Sequence, residues 1–196
     1  MSALAQRLDE DSCPAHEAIA FALAHDLGAT GVSEARERLR AIADGLPRGL
    51  SPVARLGAIA DLLRGELAPA AGGPLLLPDV LDGGGHPAGA AVAAAAIAAR
   101  AGYGVDLVGR GRHLFLAHPD GGVLVVDPAR ARLFDARTLE CDLRWRCAHE
   151  SAALVLDRVI ERAERTNDLT TGLAGAALRL ALPVDDDTRA RYEREH

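Results

Sequence analysis

The chain has 196 residues, 28 acidic and 22 basic side chains, a formal net charge of −6 and 49% hydrophobic residues. That length suits one domain with a sizeable core and leaves no room for two full ones, and the composition is ordinary for a globular protein. The acidic balance excludes a general nucleic-acid binder, which carries a basic patch; every basic residue is Arg, which excludes Schiff-base chemistry by a lysine.

The opening stretch MSALAQRLDEDS lacks the basic-then-apolar pattern of a secretion signal. Together with an odd count of three cysteines, this points to reduced thiols and a cytoplasmic location. Residues 1–68 read as a helical lobe. Ser12 suits the N-cap of a helix running from Ala15 to about Asp26, with Gly28 beyond its end. Ser33 suits the cap of a second, in which Leu39, Ile42, Ala43 and Leu46 follow helical spacing up to Pro47. A third opens at Ser51-Pro52, with Val53, Leu56, Ile59, Ala60 and Leu63 on one face. A Gly/Pro/Ala-rich link follows, whose Gly83, Gly84 and Gly85 read as a flexible turn or as room for a substrate backbone. No phosphate-binding loop is present in it, because no GK[ST] follows.

Residues 69–140 form the core segment. Ala88–Ala101 is almost entirely Ala, Val and Ile, so the helix it forms is apolar all round and buried. It is too short to span a membrane, which takes about 20 residues. Pro87 fits its first turn and Gly102 the position past its end. Tyr103–Val108 reads as a strand, and His113–His118 and Val123–Asp127 as a hairpin around Pro119-Asp120-Gly121. A three-residue loop with Gly121 left-handed pairs His118 with Gly122 and sets His113 opposite Asp127, with Cβ atoms about 4.5–5.5 Å apart. The pairing hangs on turn type, since a loop one residue longer puts the two on opposite faces. An edge strand is expected around Arg132–Phe134. Cys141 and Cys147 are spaced too widely for a usual zinc pattern. Residues 141–183 carry two helices, over Ser151–Glu164 and Leu169–Leu182, parted by Asn167-Asp168; residues 184–196 are a charged tail. The terminal helices cover the sheet or offer a homodimer surface. The fold class is therefore α+β in a single domain: a small antiparallel sheet of three to five strands on a buried alanine-rich helix, with helical N- and C-terminal segments.

Three pieces, GGHPAGA (Gly84–Ala90), GRHLFLA (Gly111–Ala117) and VVDPA (Val125–Ala129), resemble the transglutaminase-like superfamily, and most closely its bacterial SirB-type branch. Between Gly85 and Gly102 the spacing matches that branch without a gap. The acidic Leu8–Asp11 and the helical Val155–Pro183 agree more loosely. The resemblance implies a transglutaminase-like, papain-like core and a Cys-His-Asp site. In active members a Cys opens the buried helix, where the helix N-terminus favours the thiolate and the His moves the proton. Here that position falls on Pro87, Ala88 or Gly89, and none is a nucleophile. His113 and Asp127 then remain as a vestigial catalytic dyad.

The expected function is a pseudoenzyme: a protein- or ligand-binding or regulatory module without cofactor or metal. Its partner is an unidentified protein or peptide, with neither nucleic acid nor membrane involved. His86, Arg110 and Arg112 are candidate binding residues, the two arginines for a carboxylate or phosphate. One alternative is a hydrolase or acyl-transferase in which His113 and Asp127 act with water or a displaced thiol from Cys13, Cys141 or Cys147. A second is a metal site built from His86, His113 and Asp127.

Overall fold

The computed structural model describes residues 3–4, 14–139 and 142–183; the Ser12 cap, the Leu8–Asp11 stretch, Cys13, Cys141 and the charged tail lie outside them. Its fold is α+β, with seven α-helices and a five-stranded antiparallel sheet among the described residues. The helices are α1 (His16–Asp26), α2 (Val32–Gly45), α3 (Pro52–Arg64), α4 (Leu77–Gly83), α5 (Pro87–Arg100), α6 (Ala148–Thr166) and α7 (Leu169–Ala181). The strands β1 (Asp106–Arg110), β2 (His113–Ala117), β3 (Leu124–Asp127), β4 (Arg132–Asp135) and β5 (Arg144–Trp145) lie in the order β4-β3-β2-β1-β5. None of the described helices is long and apolar enough to cross a membrane.

Helix α5 is the centre of the main core. Every residue from Ala88 to Ala98 is buried. Alanine faces let neighbours approach the helix backbone closely. Leu107, Leu114, Leu116 and Val126 of the sheet share one apolar cluster with it, as do Leu56, Ile59 and Leu63 of α3. A second cluster joins α1 to α6 through Ile19, Leu23, Ala152 and Leu156.

Local signals explain where the helices begin and end. Ser51 Oγ accepts the Ala54 N–H at 3.4 Å, with Pro52 opening α3. Ser51→Ala is expected to cost about 1 kcal/mol, read as a lower midpoint in urea unfolding. Asn167, left-handed at φ 60°, ends α6. Two expectations change. The residue capping α2 is the left-handed Gly31 (φ 70°), so the helix starts at Val32, ahead of Ser33. Val53 is 47% exposed, and Leu62 joins the inward face of α3 in its place.

The link between α3 and α5 contains the short helix α4, which ends at Gly83, and the next two glycines, Gly84 and Gly85, lie in tight backbone contact. They let two backbone segments touch. Ala70 N–H donates to Gly85 O (2.8 Å), Gly85 N–H to Leu67 O (3.2 Å) and His86 N–H to Pro74 O (2.6 Å). A Cβ at Gly84 would lie 2.8 Å from Ala68 O, and one at Gly85 would lie 2.5 Å from Val80 Cγ2. The 67–74 strap thus lies against 84–86 and fixes the entry to α5.

The hairpin register also differs. Leu116 pairs with Val126 and Ala117 with Val125. Continued by one pair, the ladder sets Phe115, in the place expected of His113, across from Asp127. The connection is two consecutive turns, closed by Gly121 N–H to His118 O (2.9 Å) and Leu124 N–H to Gly121 O (3.4 Å). Gly122 (φ 65°) takes the left-handed position expected of Gly121. The reason lies in His118, which is buried and turned back so that Nδ1 accepts the Asp120 N–H at 3.0 Å. Capping the turn from His118 removes that residue from the ladder and shifts the pairing by two residues, which keeps every side chain on its face.

Candidate functional site at the start of the buried helix

The strap brings His86 to the mouth of α5, where its Nδ1 accepts the Ala88 N–H at 3.1 Å. A ring nitrogen that accepts carries no proton, so the proton of neutral His86 sits on Nε2 and makes that atom a donor. Across from it runs the last half of α6. Arg158, Arg162 and Arg165 recur at helical spacing and, with His86 and the Ala71–Gly73 backbone, line a cavity of about 370 Å³. That volume lies in the range of small-molecule sites, about 300–1,000 Å³.

The cavity is held by named contacts. Arg162 Nη1 donates to Gly73 O at 3.0 Å, tying α6 to the strap. Glu161 also lines it and is bound twice, by Arg158 Nη1 at 2.9 Å and by Arg112 reaching over from the β1–β2 turn. Burial pushes the Glu161 carboxyl up, but the hydrogen bonds from Arg158 and Arg112 outweigh it and hold the group below its ordinary value. His86 is shifted down, first by burial and then by the fields of Arg158, Arg162 and Arg165, with Glu161 opposing. The site is electropositive in a chain of net charge −6.

Of the expected binding residues, His86 lines this cavity and Arg112 reaches its edge through Glu161. Arg110 does neither. It pairs with His113 across the tight β1–β2 turn, at the left-handed Gly111 (φ 53°). His113 and Asp127 share the alternation of Phe115 and Val125, whose cluster lies on the opposite face from Leu116 and Val126. The two therefore belong to the sheet face turned away from α5. His113 is exposed at the strand start. Asp127 pairs with Arg132 in the β3–β4 ladder, accepts the Ala129 N–H at 2.9 Å and lies 3.7 Å from Arg130. The expected opposition of His113 and Asp127 does not form, for the register reason given above.

At the helix start, Ala88 and Gly89 are buried. A Cβ on Gly89 would stand 2.8 Å from Leu75 O and 3.0 Å from Val80 Cγ2, so no nucleophilic side chain fits there. Cys147 is exposed and caps α6, its side chain accepting an N–H of the first turn. His86, His113 and Asp127 do not converge, and the described residues contain no group of three His, Cys, Asp or Glu suited to a metal ion.

One constellation has no counterpart among the sequence expectations. His16 stands between Asp106 and Ser151, with Nε2 2.9 Å from Asp106 Oδ1 and Nδ1 2.9 Å from Ser151 Oγ. The order Ser-His-Asp is that of a hydrolase triad. Its surroundings are not. Ser151 is 2% exposed, its hydroxyl also donates to Ala148 O at 3.0 Å, and the adjoining cavity beside Gly89 holds about 20 Å³, room for one water. The Ser151 hydroxyl is enclosed. The three side chains tie α1, β1 and α6 together. No sequence signal joined them, since each comes from a different element and only folding brings them together.

Comparison with protein families, characterised proteins and solved structures found no match to this chain. The fold and site define an α+β protein in which a buried alanine-rich helix opens on an arginine-lined cavity.

Proposed function

We propose that the protein is a non-catalytic module that binds an anionic ligand, in a transglutaminase-like frame whose nucleophile position has been given up. The observation that carries this reading is the start of α5. Gly89 is filled from outside by Leu75 O, while His86 and three arginines face a cavity next to it. Guanidinium groups present planar forks of N–H donors suited to carboxylate and phosphate. The positive end of the α5 dipole adds to their field. No step of acyl transfer follows from the arrangement: His113 and Asp127 sit on the far side of the sheet, and the Ser151 hydroxyl is enclosed.

The test is calorimetric titration with small carboxylates and phosphates, run beside a turnover assay on acyl esters and amides. Wild type is expected to bind at least one anion and to turn over no acyl substrate above background. Arg158→Gln with Arg165→Gln is expected to weaken binding at least ten-fold while leaving the melting temperature within a few degrees. Turnover that depends on His113 or His16 overturns the reading, and so does anion binding indifferent to the two arginines.

A further inference from the structure

Resting on that reading and narrowing it, we propose that the α5–α6 cavity takes a small phosphate monoester, and that Glu161 is its built-in competitor. Three guanidiniums line the cavity against one carboxylate, and a fourth, Arg112, is drawn to that same carboxylate. A single carboxylate ligand would leave this excess of positive charge largely uncompensated. A phosphate monoester brings about −1.5 to −2 charges and three strong acceptor oxygens, enough for two guanidinium forks and the Nε2–H of His86 together. The volume of about 370 Å³ admits the phosphate with a small organic group behind it.

Glu161 already does in part what such a ligand would do. Its two oxygens are shared out, Oε1 to Arg112 and Oε2 to Arg158. Arg165 meets the same residue through its backbone, Nε donating to Glu161 O at 3.2 Å. A dianion entering the cavity competes with the side chain for Arg158 and releases Arg112 on the β1–β2 turn. Binding at the mouth of α5 is thereby coupled to the β1–β2 turn through one ion pair.

The experiment titrates wild type, Glu161→Gln and Arg165→Gln with phenyl phosphate, benzoate and phosphoserine, free or in a short peptide. Wild type is expected to bind phenyl phosphate at least ten-fold more tightly than benzoate. Glu161→Gln is expected to tighten phenyl phosphate several-fold, and Arg165→Gln to weaken it several-fold. Both side chains are partly or fully exposed, so both variants fold, and melting curves check this. Benzoate binding as tightly as phenyl phosphate overturns the phosphate assignment and leaves the anion-binding reading standing. No binding of any anion to wild type or to Glu161→Gln overturns both. Unchanged phosphate affinity in Glu161→Gln removes the competitor role. Phosphoserine bound more tightly in the peptide than free overturns the small-molecule occupant in favour of a phosphorylated protein.

Discussion

Gly73→Ala is expected to lower the unfolding free energy by about 2–3 kcal/mol, the upper range for forcing atoms into a packed site. A Cβ at that position would fall 2.5 Å from the carbonyl carbon of Gly85 and 2.8 Å from His86 N. Both are backbone atoms, so no rotamer change relieves the clash and the strap must lift. Lifting it breaks the hydrogen bond from His86 N–H to Pro74 O and the tie from Arg162 to Gly73 O. The neighbouring Gly72 is the control, since a Cβ there meets nothing within 4 Å. Gly72→Ala is expected to be neutral or slightly stabilising, by removing backbone freedom from the unfolded chain. Urea unfolding of the two variants separates the cases. Equal midpoints would show that the strap does not need its close approach. Anion affinity well below the melting range should fall in Gly73→Ala alone, because the strap both forms a wall of the cavity and places His86.

This dependence shows which parts of the molecule were legible in the amino-acid order. Elements bounded by residues with one strong local preference were readable: Ser51-Pro52 opening α3, Pro87 opening α5, Asn167 closing α6. The all-apolar run Ala88–Ala98 admitted only a buried helix, and the sheet on it followed. The β2–β3 register was not readable, because it turns on whether His118 enters the ladder or caps the turn, and both keep the same sequence. The glycines of the link showed where side chains are missing without showing what fills the space. Arg158, Arg162 and Arg165 did carry a signal, a charged stripe at helical spacing, but a stripe of that kind is usually a solvated face. Only the packing of α6 across the mouth of α5 makes it a wall of a cavity.

His16→Ala is expected to cost about 2 kcal/mol, the loss of two side-chain hydrogen bonds with a buried hydroxyl left short of one partner. His16 holds α1 to both Asp106 on β1 and Ser151 on α6. Ser151→Ala should cost less, since it removes the enclosed polar group along with the bond. A His16→Ala variant as stable as wild type would show that apolar packing alone joins these elements. Loss of ester hydrolysis in Ser151→Ala, with an unchanged melt, would instead make the trio a working triad. The acid limb of the stability curve gives an independent reading. Burial pushes the Asp106 carboxyl up, but the hydrogen bonds from His16 and from the Leu107 N–H (2.7 Å) outweigh it and hold the group below its ordinary value. A carboxyl depressed on folding contributes stability that is present above its unfolded pKa, about 3.9. That contribution is lost as the pH falls from there through the folded value. Asp106→Asn should therefore flatten the decline in stability below about pH 4, and at neutral pH it should be less stable than wild type. Asp106 is about half exposed, which keeps the effect modest. A decline in Asp106→Asn as steep as in wild type would place the acid sensitivity on other carboxylates, with Asp26 next in line. That carboxylate is also held low, by the Ala3 and Leu4 N–H groups, against the rise that its burial causes.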